Sequence, residues 1–339
     1  MPLPFDIPLI VLALVVFAGL VLSVGTARGS AALEKRFPPL GRLVEVRDTD
    51  EPRKVHVLDV PGNPALLPVV FIHGASGNLY DQVGAFRDSV AALPHHRRFR
   101  SIYIDRPGCG YTERRPGDDT PRAQADMVAS TLDALGIERA VICGHSFGAG
   151  VAVTMGAFNR EKVAALALLA PAAYPWPADL GWPYKLAALP VLRTICAWTF
   201  VMPLGRKLVD PGIAGTFAPD LPPEGYREGG ATDLLLRPAN FLSNAADILA
   251  IKRRAAEISP SFRTIDRPVW ILQGSHDAVV RPTIHAVGLY RAIPHARLEW
   301  HEGLGHKPDY VHRKRIVDEL VRFARGEGEE RRDFAQAAE

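Results

Sequence analysis

Residues Ala140 to Gly150 read AVICGHSFGAG. A short apolar run, Ala140–Cys143, leads into Gly144. Ser146 stands between Gly144 and Gly148, and Ala149–Met155 beyond them reads as a helix. A G-x-S-x-G between a strand and a helix marks a tight turn that lifts a serine hydroxyl above the end of a sheet. The spacing has a steric cause. The serine backbone is forced into a strained turn, so its neighbours on both sides must be small. The helix that follows directs its N-terminus at the same spot.

A serine hydroxyl is a poor nucleophile without a base. His306, in the stretch GLGH at 303–306, lies between the last predicted strand and the last predicted helix, on a loop able to overhang the sheet. His301 belongs to the strand and His312 to the helix, which makes them weaker choices. A carboxylate must hold the imidazole in one tautomer. Asp277 ends the stretch QGSHD directly after the strand VWIL, at the carboxyl end of the sheet, whereas Asp266 precedes that strand and belongs at the opposite end. Two further groups complete the set. The strand VVFI is followed by His73-Gly74-Ala75-Ser76-Gly77. Gly74 lets the backbone approach a substrate, with His73 and Gly74 supporting the turn. The Ala75 N–H and the Phe147 N–H are then the expected oxyanion donors, each worth about 3–4 kcal/mol. The Phe147 ring is also a candidate for lining an acyl pocket.

Working outward, short apolar or β-branched runs alternate with helical patterns. Strands are predicted at 42–47, 54–60, 69–73, 101–105, 140–143, 164–169, 269–273 and 297–301. Helices are predicted at 122–135, 147–159, 282–293 and 308–325. This alternation implies an α/β fold, a mainly parallel sheet with helices on both faces. The first two strands have no helix between them, which suggests an antiparallel hairpin at one edge. Residues 171–262 break the pattern with twelve prolines and with Trp176, Trp182 and Trp198. They read as a helical insertion over the sheet, whose aromatics are expected mainly to pack on the domain below.

Of the 339 residues, 47% are hydrophobic and 23% charged, which excludes a disordered chain. Forty Lys and Arg against 37 Asp and Glu give a net charge of +3, too small to indicate a nucleic-acid partner. Cys109, Cys143 and Cys196 have no metal-like spacing, so neither a disulfide framework nor a zinc site is expected. Cys143, just before the turn, reads as a small buried hydrophobe. No H-E-x-x-H, G-x-G-x-x-G or Walker pattern occurs, so no metal and no cofactor is expected.

Residues Ile7 to Val24 carry no charge. Eighteen residues make about 27 Å of helix, close to the thickness of a bilayer's hydrocarbon core. A signal peptide would want a positive n-region, and residues 1–6 hold no Lys or Arg. A core helix at a terminus, followed by Gly25, Gly29 and Ser30, would be unusual. A single-pass membrane anchor with its linker is therefore expected at 1–30, a main domain at 31–325 with a cap insertion at about 171–262, and a charged, disordered tail at 326–339. Arg28, Lys35 and Arg36 after the run place the main domain on the cytoplasmic side.

The motifs HGASGN (73–78), GHSFGAG (144–150), GSHD (274–277) and GLGH (303–306) together resemble the α/β-hydrolase family, and so does the chain order Ser146, Asp277, His306. The resemblance covers about residues 40–325. It implies an eight-stranded sheet, a cap over it, and catalytic roles for Ser146, Asp277 and His306. The run DRPGCGY at 105–111 matches the family's turn after the fourth strand, with Asp105 and Arg106 bracing the site from beneath. Family members that open epoxides or displace halide use an aspartate at the turn. Ser146 implies acyl transfer instead. The expected activity is hydrolysis of a small-molecule, lipid-like carboxylic ester through an acyl-enzyme. Thioester, amide, C–C bond and peracid chemistry use the same residues. A non-catalytic ligand binder on this fold is the other alternative, and the complete set of four elements argues against it.

Overall fold

The computed structural model describes residues 6–48, 51–176 and 189–328. Trp182, Pro177 and Pro183 of the expected insertion lie outside the described residues, as do 1–5 of the expected anchor and 329–339 of the expected tail. The chain builds an eight-stranded sheet in the order β1-β2-β4-β3-β5-β6-β7-β8. The strands are β1 (Arg42–Val46), β2 (Arg53–Val60), β3 (Val69–Ile72), β4 (Ser101–Ile104), β5 (Ala140–His145), β6 (Val163–Leu169), β7 (Val269–Gly274) and β8 (Ala296–His301). β1 pairs antiparallel with β2 at one edge, and β2 antiparallel with β4. Every other pairing is parallel.

Alternate residues serve opposite faces, as the two-residue period of a strand requires. Val70, Ile72 and Ile142 face one core with helices α3 (Pro121–Ala134) and α4 (Phe147–Phe158). Val69, Phe71, Val141 and Cys143 face another with α2 (Leu79–Ala91) and α11 (Arg313–Ala324). Phe71 stacks between Phe86 and Tyr103, with ring centroids 4.9 and 4.8 Å away. Cys143 is fully buried, and burial pushes its thiol well above the usual range.

Three elements differ from the sequence reading. No helix was expected between β3 and β4, yet parallel neighbours need a crossover. α2 supplies it, burying Leu79, Val83, Phe86 and Val90 at spacings of four and three, with Asn78 capping it through the Tyr80 N–H. The last expected helix is broken at His312 into α10 (Pro308–Val311) and α11. The N-terminal helix α1 runs unbroken from Asp6 to Arg36, through the stretch read as linker. It is long and apolar enough to cross a membrane. Two of the small residues that suggested a linker, Gly29 and Ser30, lie in a packing seam with Leu22, Ser23, Thr26 and Leu33, whereas Gly25 faces solvent. A Cβ at Gly29 would lie 3.3 Å from Met202 and Arg206. Small side chains there let two helices approach closely.

The insertion between β6 and β7 carries α5 (Pro190–Thr199), α6 (Val201–Phe217), α7 (Tyr226–Gly229) and α8 (Pro238–Ile258), of which α5 and α6 lie opposite that seam. Leu33 and Phe37 share a cluster with Met202, Val209 and Phe217, and the Glu34 carboxylate accepts from Arg237 at 3.1 Å.

The chain passes from β3 to β4 on one side, then returns to β5 on the other, so order reverses between β3 and β5. In open α/β sheets such a reversal opens a crevice at the carboxyl ends of the strands. Asp105, just after β4, braces it. One carboxylate oxygen accepts from the Leu79 N–H at 2.6 Å; the other meets His56 Nδ1 at 2.6 Å and the Tyr111 N–H at 3.0 Å. Asp105→Ala leaves these buried donors unpaired and is expected to lower unfolding free energy by roughly 3 kcal/mol or more, read as a lower urea midpoint at unchanged slope.

Candidate active site

Ser146 sits between the end of β5 and the first turn of α4 with φ 54° and ψ −117°, a conformation that costs a non-glycine residue about 1–3 kcal/mol. Four backbone bonds hold it there. Its N–H donates to Leu169 O at 2.9 Å, and its carbonyl accepts from Ala149, Gly150 and Ala172 at 3.0, 3.2 and 3.1 Å. The flanking glycines answer to packing. A Cβ at Gly148 would lie 2.3 Å from Ile72 O, and one at Gly144 2.3 Å from Gly148 O.

The expected partners converge on Ser146. His306, on the loop after β8, lies with Nε2 2.9 Å from Ser146 Oγ and Nδ1 2.7 Å from Asp277 Oδ2. Asp277 follows β7. Its Oδ1 accepts from the Val279 and Val280 N–H groups at 2.9 and 3.0 Å, and its Oδ2 also accepts from Gln273 at 3.1 Å. Burial alone would raise the Asp277 carboxyl, but His306 beside it and the Val280 and Gln273 donors more than offset this and hold it below the usual range. An ionised Asp277 only accepts, so Nδ1 of His306 carries the proton and Nε2 is left to accept from the serine hydroxyl. Asp266 is instead exposed beside Arg160 and Arg267, and His301 pairs with Glu299.

The turn after β3 meets the turn after β5. A Cβ on Gly74 would lie 3.1 Å from both His145 Nδ1 and Ser146 Cβ. Among the described residues, neither the Ala75 N–H nor the Phe147 N–H donates to another group. His73 carries its proton on Nδ1, which donates to Gly74 O at 2.8 Å, while Nε2 accepts from the Arg106 N–H at 3.0 Å. Burial and the nearby Arg106 lower its pKa to about 4, so it stays neutral. The Arg106 guanidinium, itself buried, donates to His73 O and Gly74 O at 3.1 Å and to Asp247 of α8 at 2.6 Å. Arg106 therefore ties the turn to the insertion. The Phe147 ring lies under this guanidinium at 4.4 Å, in the core and not in the pocket expected for it.

A cavity of about 570 Å³ opens over Ser146 and His306. Ala75 and Ser76 line it from the sheet side, and Phe200, Leu204, Leu208 and Leu236 from the insertion. Trp176 packs on His285 at 4.9 Å, and Trp198 is exposed on α5. Neither lines the cavity: Trp176 packs on the domain below as expected, whereas Trp198 does not.

Sequence reasoning missed the groups that fasten the His306 loop. His145 donates from Nε2 to the His306 carbonyl at 2.8 Å, and burial lowers its pKa to about 4. Lys307 is fully buried, its Nζ 3.0 Å from Asp81 and 2.9 Å from Asp309. Asp81, His145 and Asp309 converge as metal ligands would, but the Lys307 ammonium supplies the cation there. Burial would raise the Asp81 carboxyl, and Lys307 reverses this and holds it low. Nothing local in the sequence ties Lys307 to Asp81, 226 residues away.

The α/β-hydrolase fold profile matches residues 68–190. The chain has the α/β-hydrolase fold. It is 26% identical over 273 residues to a 2-hydroxymuconate semialdehyde hydrolase from Pseudomonas putida, covering 76% of this chain and 86% of that one. A thermophilic esterase from Thermogutta terrifontis superposes with a TM-score of 0.63 at 21% identity, over 85% of this α/β-hydrolase and 99% of the esterase. A meta-cleavage product hydrolase from Pseudomonas fluorescens does so with a TM-score of 0.58 at 22% identity, over 84% and 97%. The fold match and the named relatives support hydrolase activity.

Lys307→Met leaves the Asp81 carboxylate buried beside Asp309 with no cation. It is expected to cost roughly 3–5 kcal/mol of stability at neutral pH. In the parent, the folded Asp81 pKa is below its ordinary value of 3.8, so the pair's contribution holds above that value and is lost as pH falls through the folded one. In the variant the folded value is raised, so the deficit shrinks as pH falls toward it. Urea unfolding at about pH 8 and about pH 5 should show the gap between variant and parent narrowing at the lower pH.

Proposed function

We propose that this hydrolase is a membrane-anchored serine esterase acting on apolar carboxylic esters. The observation that carries this reading is the hydrogen-bonded series Ser146 Oγ, His306, Asp277 beside the cavity, with two undonated N–H groups next to it. Ser146 Oγ attacks the ester carbonyl while His306 Nε2 takes its proton. Asp277, held ionised, stabilises the resulting imidazolium. The Ala75 and Phe147 N–H groups receive the oxyanion. The tetrahedral intermediate collapses to an acyl-enzyme, and the proton on Nε2 passes to the departing alcohol. Water, deprotonated by the same nitrogen, then releases the acid and restores Ser146.

C–C bond hydrolysis is the second reading, favoured by the hydroxymuconate semialdehyde hydrolase among the relatives. The cavity wall favours the ester. Its cations are Arg193 and Lys307, and Lys307 is already matched by two carboxylates, whereas the insertion contributes mainly leucine, valine and phenylalanine. That lining suits an acyl or alkyl chain better than an anionic muconate.

Support for the anchor comes from α1. Its apolar window is unburied, and its continuation is locked on the insertion helices, which argues against cleavage at 25–30. Positive charge after the run assigns residues 31–325 to the cytoplasmic side. The insertion helices act as the cap.

Purified full-length protein is expected to react with a fluorophosphonate probe and to hydrolyse p-nitrophenyl acyl esters. Ser146→Ala should abolish labelling and lower kcat by roughly 10⁴-fold or more, and Asp277→Asn by about 10⁴-fold. Unchanged esterase activity in pure Ser146→Ala protein rules the reading out. In right-side-out vesicles, added protease should leave the main domain intact; digestion would reverse the topology.

A further inference from the structure

We infer that the outer face of the cap, formed by α5 and the start of α6, is seated in the lipid bilayer, and that the cavity takes its ester substrate from the acyl-chain region and not from water. The inference rests on the anchored-esterase reading above and adds where the substrate enters.

The first argument is depth. The uncharged run spans Ile7 to Val24, about 27 Å of helix, which a bilayer core needs almost in full. The seam that packs α1 on the cap begins at Leu22, near the end of that run. The elements opposite α1 are α5, α6 and the turn at 232–236. Toward its C-terminal end the seam meets α6, through Gly29 against Met202 and Arg206. If Ile7–Val24 crosses the core, the last three residues of the span, about 4.5 Å of helix, run alongside the cap. The cap helix beside them is then held at hydrocarbon depth by contacts that already exist.

The second argument is what that helix carries. α5 exposes Leu192, Ile195 and Trp198 at three-residue spacing, and α6 begins with exposed Phe200, Leu204 and Leu208. Scattered apolar residues are normal on a protein surface, but a contiguous set beside a span is a membrane face. Arg193, Arg206 and Lys207 are exposed among them, with stems long enough to bring their charges to anionic headgroups. The third argument joins the face to the chemistry. Phe200, Leu204 and Leu208 line the cavity over Ser146 and are themselves exposed, which ties the cavity mouth to the apolar face beside α1.

The test uses full-length protein in vesicles of phosphatidylcholine with a minority of phosphatidylglycerol. Phosphatidylcholine brominated in the acyl chains should quench the protein's tryptophan emission, and Trp198→Phe should remove about half or more of the quenchable signal. If Trp198→Phe leaves that signal unchanged while the protein still floats with the vesicles, the anchor stands and the seated cap is overturned. A second variant, Leu192→Ser/Ile195→Ser, changes residues outside the cavity lining. It should lower hydrolysis of monooleoylglycerol held in the vesicles about tenfold while p-nitrophenyl butyrate hydrolysis stays within about twofold. Equal rates for variant and parent on the vesicle substrate overturn entry from the bilayer. Equal loss on both substrates reports a folding defect, and the Trp198 quenching then decides. A parent that hydrolyses neither ester but shows the Trp198 quenching counts against the esterase reading and leaves the seated cap standing.

Discussion

The left-handed backbone at Ser146 is the constraint on which the rest of the structure depends. A serine at φ 54° keeps that conformation only where its surroundings over-determine it. Here four hydrogen bonds do so, drawn from β6, from the first turn of α4 and from Ala172. To make them, α4 must press against the ends of β3 and β5. Ile72 O and His73 O then stand where a side chain at 148 would project. That close approach is also what sets the turn after β3 beside the start of α4. The Ala75 and Phe147 N–H groups stay undonated for this reason: one belongs to a turn and the other to the first residue of a helix.

The remaining groups arrive on loops, and loops need fastening. Three buried histidines surround the turn, and their partners divide the labour. His73 and His145 have no carboxylate accepting from Nδ1, and burial lowers both to a pKa of about 4, so they serve as neutral hydrogen-bonding struts. His306 alone of the three places Nδ1 against a carboxylate, which orients its other nitrogen at Ser146. His145 then holds the His306 backbone, and the Gly305 N–H donates to Asp220 of the insertion at 2.8 Å. Lys307 ties the same loop to α2 through Asp81. His306 is thus framed by two histidines that burial holds neutral.

The elements legible in sequence were those whose cause is local. β5 and β6 read as strands because strands covered on both faces become continuous apolar runs. Ser146 was legible because its glycines are packing requirements written at fixed offsets. Asp277 and His306 followed from their positions after strands, where the carboxyl end of the sheet must lie. The Leu79, Val83, Phe86, Val90 spacing of α2 was present but lay in a stretch that opens with glycines and an asparagine, which read as turn. Gly25, Gly29 and Ser30 suggested a linker because small residues in isolation mean flexibility, whereas beside another helix, as at Gly29, they mean a close seam. The Lys307 cluster left no local trace, since its partners are brought together only by the sheet.

The seam changes what the N-terminal helix can be. A tether joined through a flexible linker would leave the catalytic domain free to tumble beneath the bilayer, and the cap would then be expected to present a polar surface to water. α1 is instead continuous to Arg36, and its second half is clamped by Glu34 to Arg237 and by Arg36 to Glu228. Arg237 in turn stacks on Tyr111 at 4.7 Å and bonds Gly110 O, on the turn that Asp105 braces. The orientation of α1 is therefore transmitted through the insertion to the loops that frame Ser146. Exposed leucines on α5 and α6 are costly in water and cost nothing in hydrocarbon. Their position beside α1 and at the mouth of the cavity follows from one geometric fact, the packing of α1 on the insertion.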